Sequence, residues 1–266
     1  ALFSCRKSRK AKPMPSEISS YIYAYTSGTI SKTAPIRVRF TNSVIEKDKI
    51  GGEVGSIISF SPYIDGKAIW EDDRTILVEP KTPLSSKTNY LGSINLEKLY
   101  KNLPKGLSTF EFDFQTRELY FDVSTDGLRT SDLQDLNRQS LTGAVNMSDV
   151  TENHDVEKLL KAYQEGKELS IKWIHNNEKL RPDFVIDGII REEKETNLLL
   201  KWNGNPLDLS IYGELKIPVS SKNKFEVSNA KIFQEKDQTI VVYFSEPIQQ
   251  NQDLNGLITL DGLVER

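Results

Sequence analysis

Ile36-Arg-Val-Arg-Phe-Thr-Asn-Ser-Val44 returns much later in the chain as Ile240-Val-Val-Tyr-Phe-Ser-Glu-Pro-Ile248, and the two copies align without a gap. Each opens as a short alternating strand; in the first copy Arg37 and Arg39 take the wet face. Each then passes through Thr or Ser, a polar residue and a small or imino residue to a β-branched one. A spaced repeat of a strand-and-turn unit marks a tandem array of similar domains. An array works through surfaces and spacing more than through one catalytic pocket.

The bulk numbers agree with that frame. A chain of 266 residues holds two domains of about 100 to 150 residues each. With 37% hydrophobic and 27% charged residues, the domains are small and their cores modest. A net charge of −3 gives nucleic acid no support as a partner. No apolar run approaches the roughly 20 residues that span a bilayer.

Working outward from the first copy, Tyr21–Tyr25, Ile36–Phe40, Ile57–Phe60, Lys67–Trp70, Thr75–Val78, Asn89–Ile94 and Ser108–Phe114 read as strands. Turn chemistry at roughly 8- to 12-residue intervals predicts an antiparallel β-sandwich. A second, diverged unit spans about Arg117 to Ser220, with strands at Tyr120–Val123, Ser140–Val145, Glu168–Trp173, Phe184–Ile186, Leu198–Trp202 and Gly213–Val219. Within it Val156, Leu159, Leu160 and Tyr163 fall at i, i+3, i+4 and i+7 before Gly166, which predicts a short amphipathic crossover helix over about 155–164. From Lys222 a third unit begins, with strands at Phe225–Phe233, Thr239–Phe244 and Leu257–Leu260. So short a piece cannot bury a sandwich core alone, and a truncated third module is expected. The fold expected is all-β, made of tandem Ig-like antiparallel β-sandwich domains. Its divisions are 1–17 for the leader remnant and tether, 18–116, 117–221, and 222–266.

Cys5 is the only cysteine, so no intramolecular disulfide forms. Leu2-Phe-Ser-Cys5 resembles the lipobox of a bacterial lipoprotein, with Cys5 the lipidated residue and Ala1 to Ser4 a signal-peptide remnant. The basic, proline-bearing stretch Arg6 to Pro15 reads as a disordered tether. Arg6 and Lys7 do not match the acidic surface-export signal of some lipoproteins. The expected location is therefore the cell envelope, lipid-anchored and facing the periplasm rather than the cell surface.

In the first unit Phe40-Thr-Asn-Ser-Val44 is followed by Trp70, Asp72, Thr75, Pro80, Leu84 and Tyr90. That order resembles the bacterial Ig-like module F-S-x-P-[VI] … W-x-D-x-x-T-[LI] … P-x-x-P-L-x-x-x-T-x-Y. Phe244 and Pro247 open a second copy. Placed in tandem behind a lipobox, such modules resemble the N-terminal region of bacterial alpha-2-macroglobulin-family lipoproteins of the Bacteroidetes type. The resemblance implies a membrane-proximal scaffold followed by downstream domains of the same longer protein, with proteases as targets of the whole. The family's Cys-Gly-Glu-Gln thioester has no counterpart here. The alternative is an envelope lipoprotein that binds a glycan or a surface protein through its Ig-like repeats.

No catalytic constellation is legible, so the chain is expected not to be an enzyme, and no cofactor or metal is implied. Glu71, Asp72 and Asp73 lack the alternating spacing of a calcium loop and read as a solvated turn with Arg74 as ion-pair partner. Glu192, Glu193 and Glu195 read as a second wet turn. His154 and His175 have no nucleophile beside them in sequence. Trp70, Trp173 and Trp202 are expected in the cores, with a carbohydrate platform as the rival reading. Tyr21, Tyr23 and Tyr25 fall on one strand face and are expected to pack against the tether or the next domain, with an exposed interaction strip as the alternative.

Overall fold

Side chains on a strand alternate between faces, and turning one face of each of two sheets inward closes a sandwich. The computed structural model describes residues 16–176, 180–234, 238–254 and 256. Cys5, its tether and the strand expected at Leu257–Leu260 lie outside the described residues. The protein is all-β, with tandem antiparallel sandwiches and, among the described residues, one short α-helix. It divides into two compact units, Ala1–Phe121 with Met147–Val150, and Asp122–Asn146 with Thr151–Arg266, so the backbone passes between them three times.

In the first unit the strands are β1 (Ile22–Tyr25), β2 (Gly28–Ile30), β3 (Ile36–Phe40), β4 (Ile58–Ser61), β5 (Gly66–Asp72), β6 (Thr75–Pro80), β7 (Asn89–Asn95) and β8 (Thr109–Thr116). They form two four-stranded sheets, β1-β3-β6-β5 and β2-β8-β7-β4. The short β2, not foreseen in the sequence, runs parallel to β8. Phe110, Phe112 and Phe114 all point from β8 into the core, which also buries Ile36, Val38, Phe40 and Trp70. Their rings stack along the strand at 5.7 and 6.5 Å. The returning segment at Met147–Val150 completes this unit. Asp149 accepts from Ser31 Oγ at 2.5 Å and from the Lys32 N–H at 2.8 Å.

The second unit continues with β9 (Phe121–Thr130), β10 (Arg138–Met147), α1 (Asn153–Val156), β11 (Leu160–Gln164), β12 (Lys167–Leu169), β13 (Ile171–Ile174), β14 (Asp183–Ile190), β15 (Thr196–Asn203), β16 (Tyr212–Val219), β17 (Val227–Gln234) and β18 (Gln238–Phe244). Its sheets are β13-β14-β10-β9, β12-β11-β15-β16 and the two-stranded β17-β18. The crossover helix is confined to α1, and the second half of the stretch predicted helical is β11. Leu160, Ala162 and Gln164 point inward at period two. Glu165 and Gly166 both have positive φ, 47° and 78°, so they form the two-residue turn between β11 and β12. Left-handed conformation at both turn residues is what a tight hairpin requires. Gly166 therefore turns a hairpin rather than ending a helix.

The repeat that opened the sequence is also a repeat of structure. Ile22 pairs with Phe40 and Ala24 with Arg39, with a register shift between. Val227 pairs with Phe244 and Asn229 with Tyr243, with the same shift. The Thr41 N–H donates to the Tyr21 carbonyl and its hydroxyl to the Ser19 carbonyl. The Ser245 N–H donates to the Glu226 carbonyl and its hydroxyl to the Lys224 carbonyl. The hydroxyl residue after the phenylalanine therefore bonds the carbonyls one and three residues before the paired Ile22 or Val227 in both copies. An aliphatic residue would keep the N–H bond but leave the Ser19 and Lys224 carbonyls without the hydroxyl donor.

Candidate functional site

The hallmark residues of the first module sit where a thin core needs them. Phe40, Trp70, Thr75, Leu84 and Tyr90 are buried, with the Phe40 and Trp70 rings 6.1 Å apart and Tyr90 stacked on Phe114 at 5.4 Å. Pro80 ends β6 opposite Gly66. Asp72 accepts from the Arg74 N–H at 2.8 Å. Partial burial alone would raise its carboxyl, but that bond, the Thr75 hydroxyl and nearby Arg39 and Arg74 outweigh it and hold it low. In the second copy Phe244 stacks on Phe225 at 5.4 Å, and Pro247 is exposed.

The acidic turn is tied down one carboxylate at a time. Glu71 takes a bidentate contact from Arg37, with Nε and Nη2 each at 2.9 Å, and that bond holds its pKa below the ordinary value. Asp73 accepts from Ser43 Oγ at 2.5 Å. The ion-pair partner of the turn is thus Arg37 across the sheet, while Arg74 contributes its backbone N–H. In the second charge run Glu193 pairs with Lys222 at 2.5 Å. His154 lies 3.1 Å from Asp155 and His175 lies 2.7 Å from Glu157, each beside its own carboxylate.

The three tyrosines do not make one strip. The register shift within β1 separates them. Tyr21 packs edge-on against Tyr100 at 4.9 Å, and Tyr25 against Phe110 at 5.2 Å. Tyr23 alone stands exposed, with the Arg39 guanidinium 5.6 Å from its ring centre. Of the tryptophans only Trp70 is fully in a core. Trp173 and Trp202 are half-buried, the first against Phe184 and the second lying over Gly213.

Two features escaped sequence reading. The first is a pair of adjoining concavities on the β11-β15-β16 sheet, of about 480 and 540 Å³, which share Tyr163, Lys201 and Glu214. Tyr212 lines one of them, and its hydroxyl donates to Asn205 Oδ1 at 2.7 Å. Tyr163 was assigned to a helix, which hid that it shares a sheet face with Lys201.

The second is Arg191, which the sequence shows only as the start of a charged turn. Its side chain is fully buried. Nε donates to the Ser220 carbonyl at 3.3 Å, and Nη1 reaches Glu246 Oε1 at 2.6 Å. Nη2 donates to the Ser221 and Lys224 carbonyls, both at 2.7 Å. Nearby, Gln139 donates to the Ser245 carbonyl at 3.1 Å. These bonds fasten the β17-β18 hairpin inside the second unit.

The hairpin has a second fastening. Lys231 Nζ lies 2.9 Å from Asp126 Oδ1 and donates to the Thr125 carbonyl. Partial burial would raise the Asp126 carboxyl, but Lys231, the Thr142 hydroxyl and Arg129 hold it below its usual value. A depressed folded-state pKa gives stability above the unfolded value of about 3.9, lost as pH falls through the folded value. Lys231→Met is expected to raise the Asp126 titration midpoint followed by carboxyl NMR; an unmoved midpoint would show that the pair is not coupled.

No family model matches the chain, and no curated protein matches it. Among solved structures it is similar to an L,D-transpeptidase from Mycobacterium tuberculosis H37Rv (12% identity, 59% of this chain and 60% of that one, TM-score 0.27). It is also similar to L,D-transpeptidase 3 from Mycobacterium tuberculosis in complex with a faropenem-derived adduct (10%, 85% and 76%, TM-score 0.26). A third is an L,D-transpeptidase from Mycobacterium smegmatis (8%, 83% and 76%, TM-score 0.27). These proteins are enzymes, which corrects the expectation that the chain is not one: catalysis is no longer excluded. At these TM-scores the likeness transfers neither fold nor activity.

Proposed function

We propose that this chain is part of a tandem Ig-like scaffold at the membrane-proximal end of an alpha-2-macroglobulin-type, protease-trapping lipoprotein of the cell envelope, facing the periplasm. The observation that supports the array is the repeated bulged hairpin, which carries the same side-chain-to-backbone bonds at Thr41 and Ser245. The Phe40-to-Tyr90 motif supports the family, and Cys5 with its basic tether supports the anchor. Downstream domains of the same polypeptide would contact the target protease. The test is to incubate the full-length protein, still in its membrane fraction, with trypsin. Compaction, and shielding of trypsin from bulky substrates, are expected, and Cys5→Ala should release the protein from the membrane. A protein degraded without compaction would end this reading.

One observation favours a second reading, in which the array binds a glycan. The trough on β11-β15-β16 places Tyr163 and Tyr212 beside Lys201 and Glu214. Ring faces flanked by a few fixed polar groups suit a concave ligand site. Neutral and uronic-acid oligosaccharides should shift the amides of Tyr163 and Lys201, and Tyr163→Ala should abolish the shift. Amides unmoved by either sugar class would remove this reading.

A further inference from the structure

The two copies of the hairpin differ in what covers them. In the first unit, the edge of β3 away from β1 is filled by β6, which pairs Ile36 with Val78 and Arg39 with Thr75, and the Phe40 N–H donates to the Arg74 carbonyl. In the second unit β18 has only β17 beside it among the described residues. The side chains follow suit. Ile22 is 6% exposed and Ile36 0%, whereas the matching Val227 is 55% exposed and Ile240 42%. Phe40 is fully buried by Trp70 and its neighbours, and Phe244 is only half-buried. The register is the same, and Ile240, Val242 and Phe244 repeat Ile36, Val38 and Phe40, but among the described residues no strand covers them as β6 covers β3.

We infer that β18 is an acceptor edge for an antiparallel strand of the β6 pattern, contributed by a further module of the same polypeptide. The inference rests on the array reading above and deepens it. An open strand edge presents unpaired N–H and C=O groups, and strand addition draws affinity from these and selectivity from alternate side chains. In the register of β3, the amides of Ile240, Val242 and Phe244 face the open edge. The occupant is argued from the first unit: the strand that seals β3, whose Ile, Val and Phe recur in β18, is Thr75-Ile-Leu-Val78, preceded by Trp70, which covers the phenylalanine.

The test uses the ¹⁵N-labelled chain and a synthetic peptide of residues 66–80, which spans β5 and β6. The peptide should shift the Ile240, Val242 and Phe244 amides and slow their hydrogen exchange at least tenfold, leaving Val241 and Tyr243 little changed. A control peptide carrying Ile76→Lys and Val78→Lys should do neither. No slowing with the native peptide, or equal slowing with the control, overturns the inference. Slowing that instead rises with protein concentration in the absence of peptide makes a second copy the occupant and also overturns it. The array reading stands or falls separately, on the trypsin experiment.

Discussion

Replacing Arg191 with methionine should destabilise the second unit by about 3–5 kcal/mol, the range for breaking a buried ion pair by removing one partner. Methionine keeps much of the volume, so the loss is chiefly polar. The change leaves Glu246 without its guanidinium and strips a donor from the carbonyls of Ser220, Ser221 and Lys224. Unfolding in urea measures the total. Hydrogen exchange locates it, with faster exchange expected across residues 220–226 and 245–246 while the first unit stays unchanged. Arg191→Lys should fall between, because an ammonium keeps the charge and loses the planar fork that serves several acceptors. A loss below about 1 kcal/mol for the methionine variant would place Arg191 among ordinary surface pairs.

The second large effect is expected at Gly143→Val. Gly143 pairs across the sheet with Phe184. A Cβ there would stand 2.4 Å from the Ser124 carbonyl oxygen and 2.5 Å from the Phe184 ring. The first obstacle is backbone and the second a fully buried ring, so neither can swing aside cheaply. Overpacking of a close-packed core costs about 1–3 kcal/mol and more when backbone must move; a loss at or above the top of that range is expected in thermal unfolding. A variant within 0.5 kcal/mol of the parent, roughly the scatter of neutral surface changes, would refute the contact. Gly92 facing Phe112 and Gly213 facing Trp202 repeat the arrangement in two other sheets.

Most strands of both units, β2 and β11 excepted, were readable because alternation is a local property, and the hallmark Phe40, Trp70 and Tyr90 were readable because core anchors are large. What failed depended on partners far away in sequence. Val156, Leu159, Leu160 and Tyr163 fit a helical period, yet a short turn followed by a strand places apolar residues at the same positions. Pairing of β11 with β15 decides between the two. The tyrosine strip failed because the register shift in β1 is set by Phe40 and Arg39 on the opposing strand. Arg191 looked like one charge among several, since nothing local announces that Ser220, Ser221 and Lys224 will bring their carbonyls to it. The groove was lost with the helix, because Tyr163 was given the wrong period.

The triple passage of the backbone between the units sets how the protein responds to being cut. A nick after Phe121 would leave Ser148 and Asp149 on the other fragment. Asp149 would still hold Ser31 and Lys32, and Ser148 would still bond Glu118 and Tyr120. The severed pieces would thus co-purify as a complemented pair. A gene fragment stopped at the same residue would make a first module lacking part of its own fold.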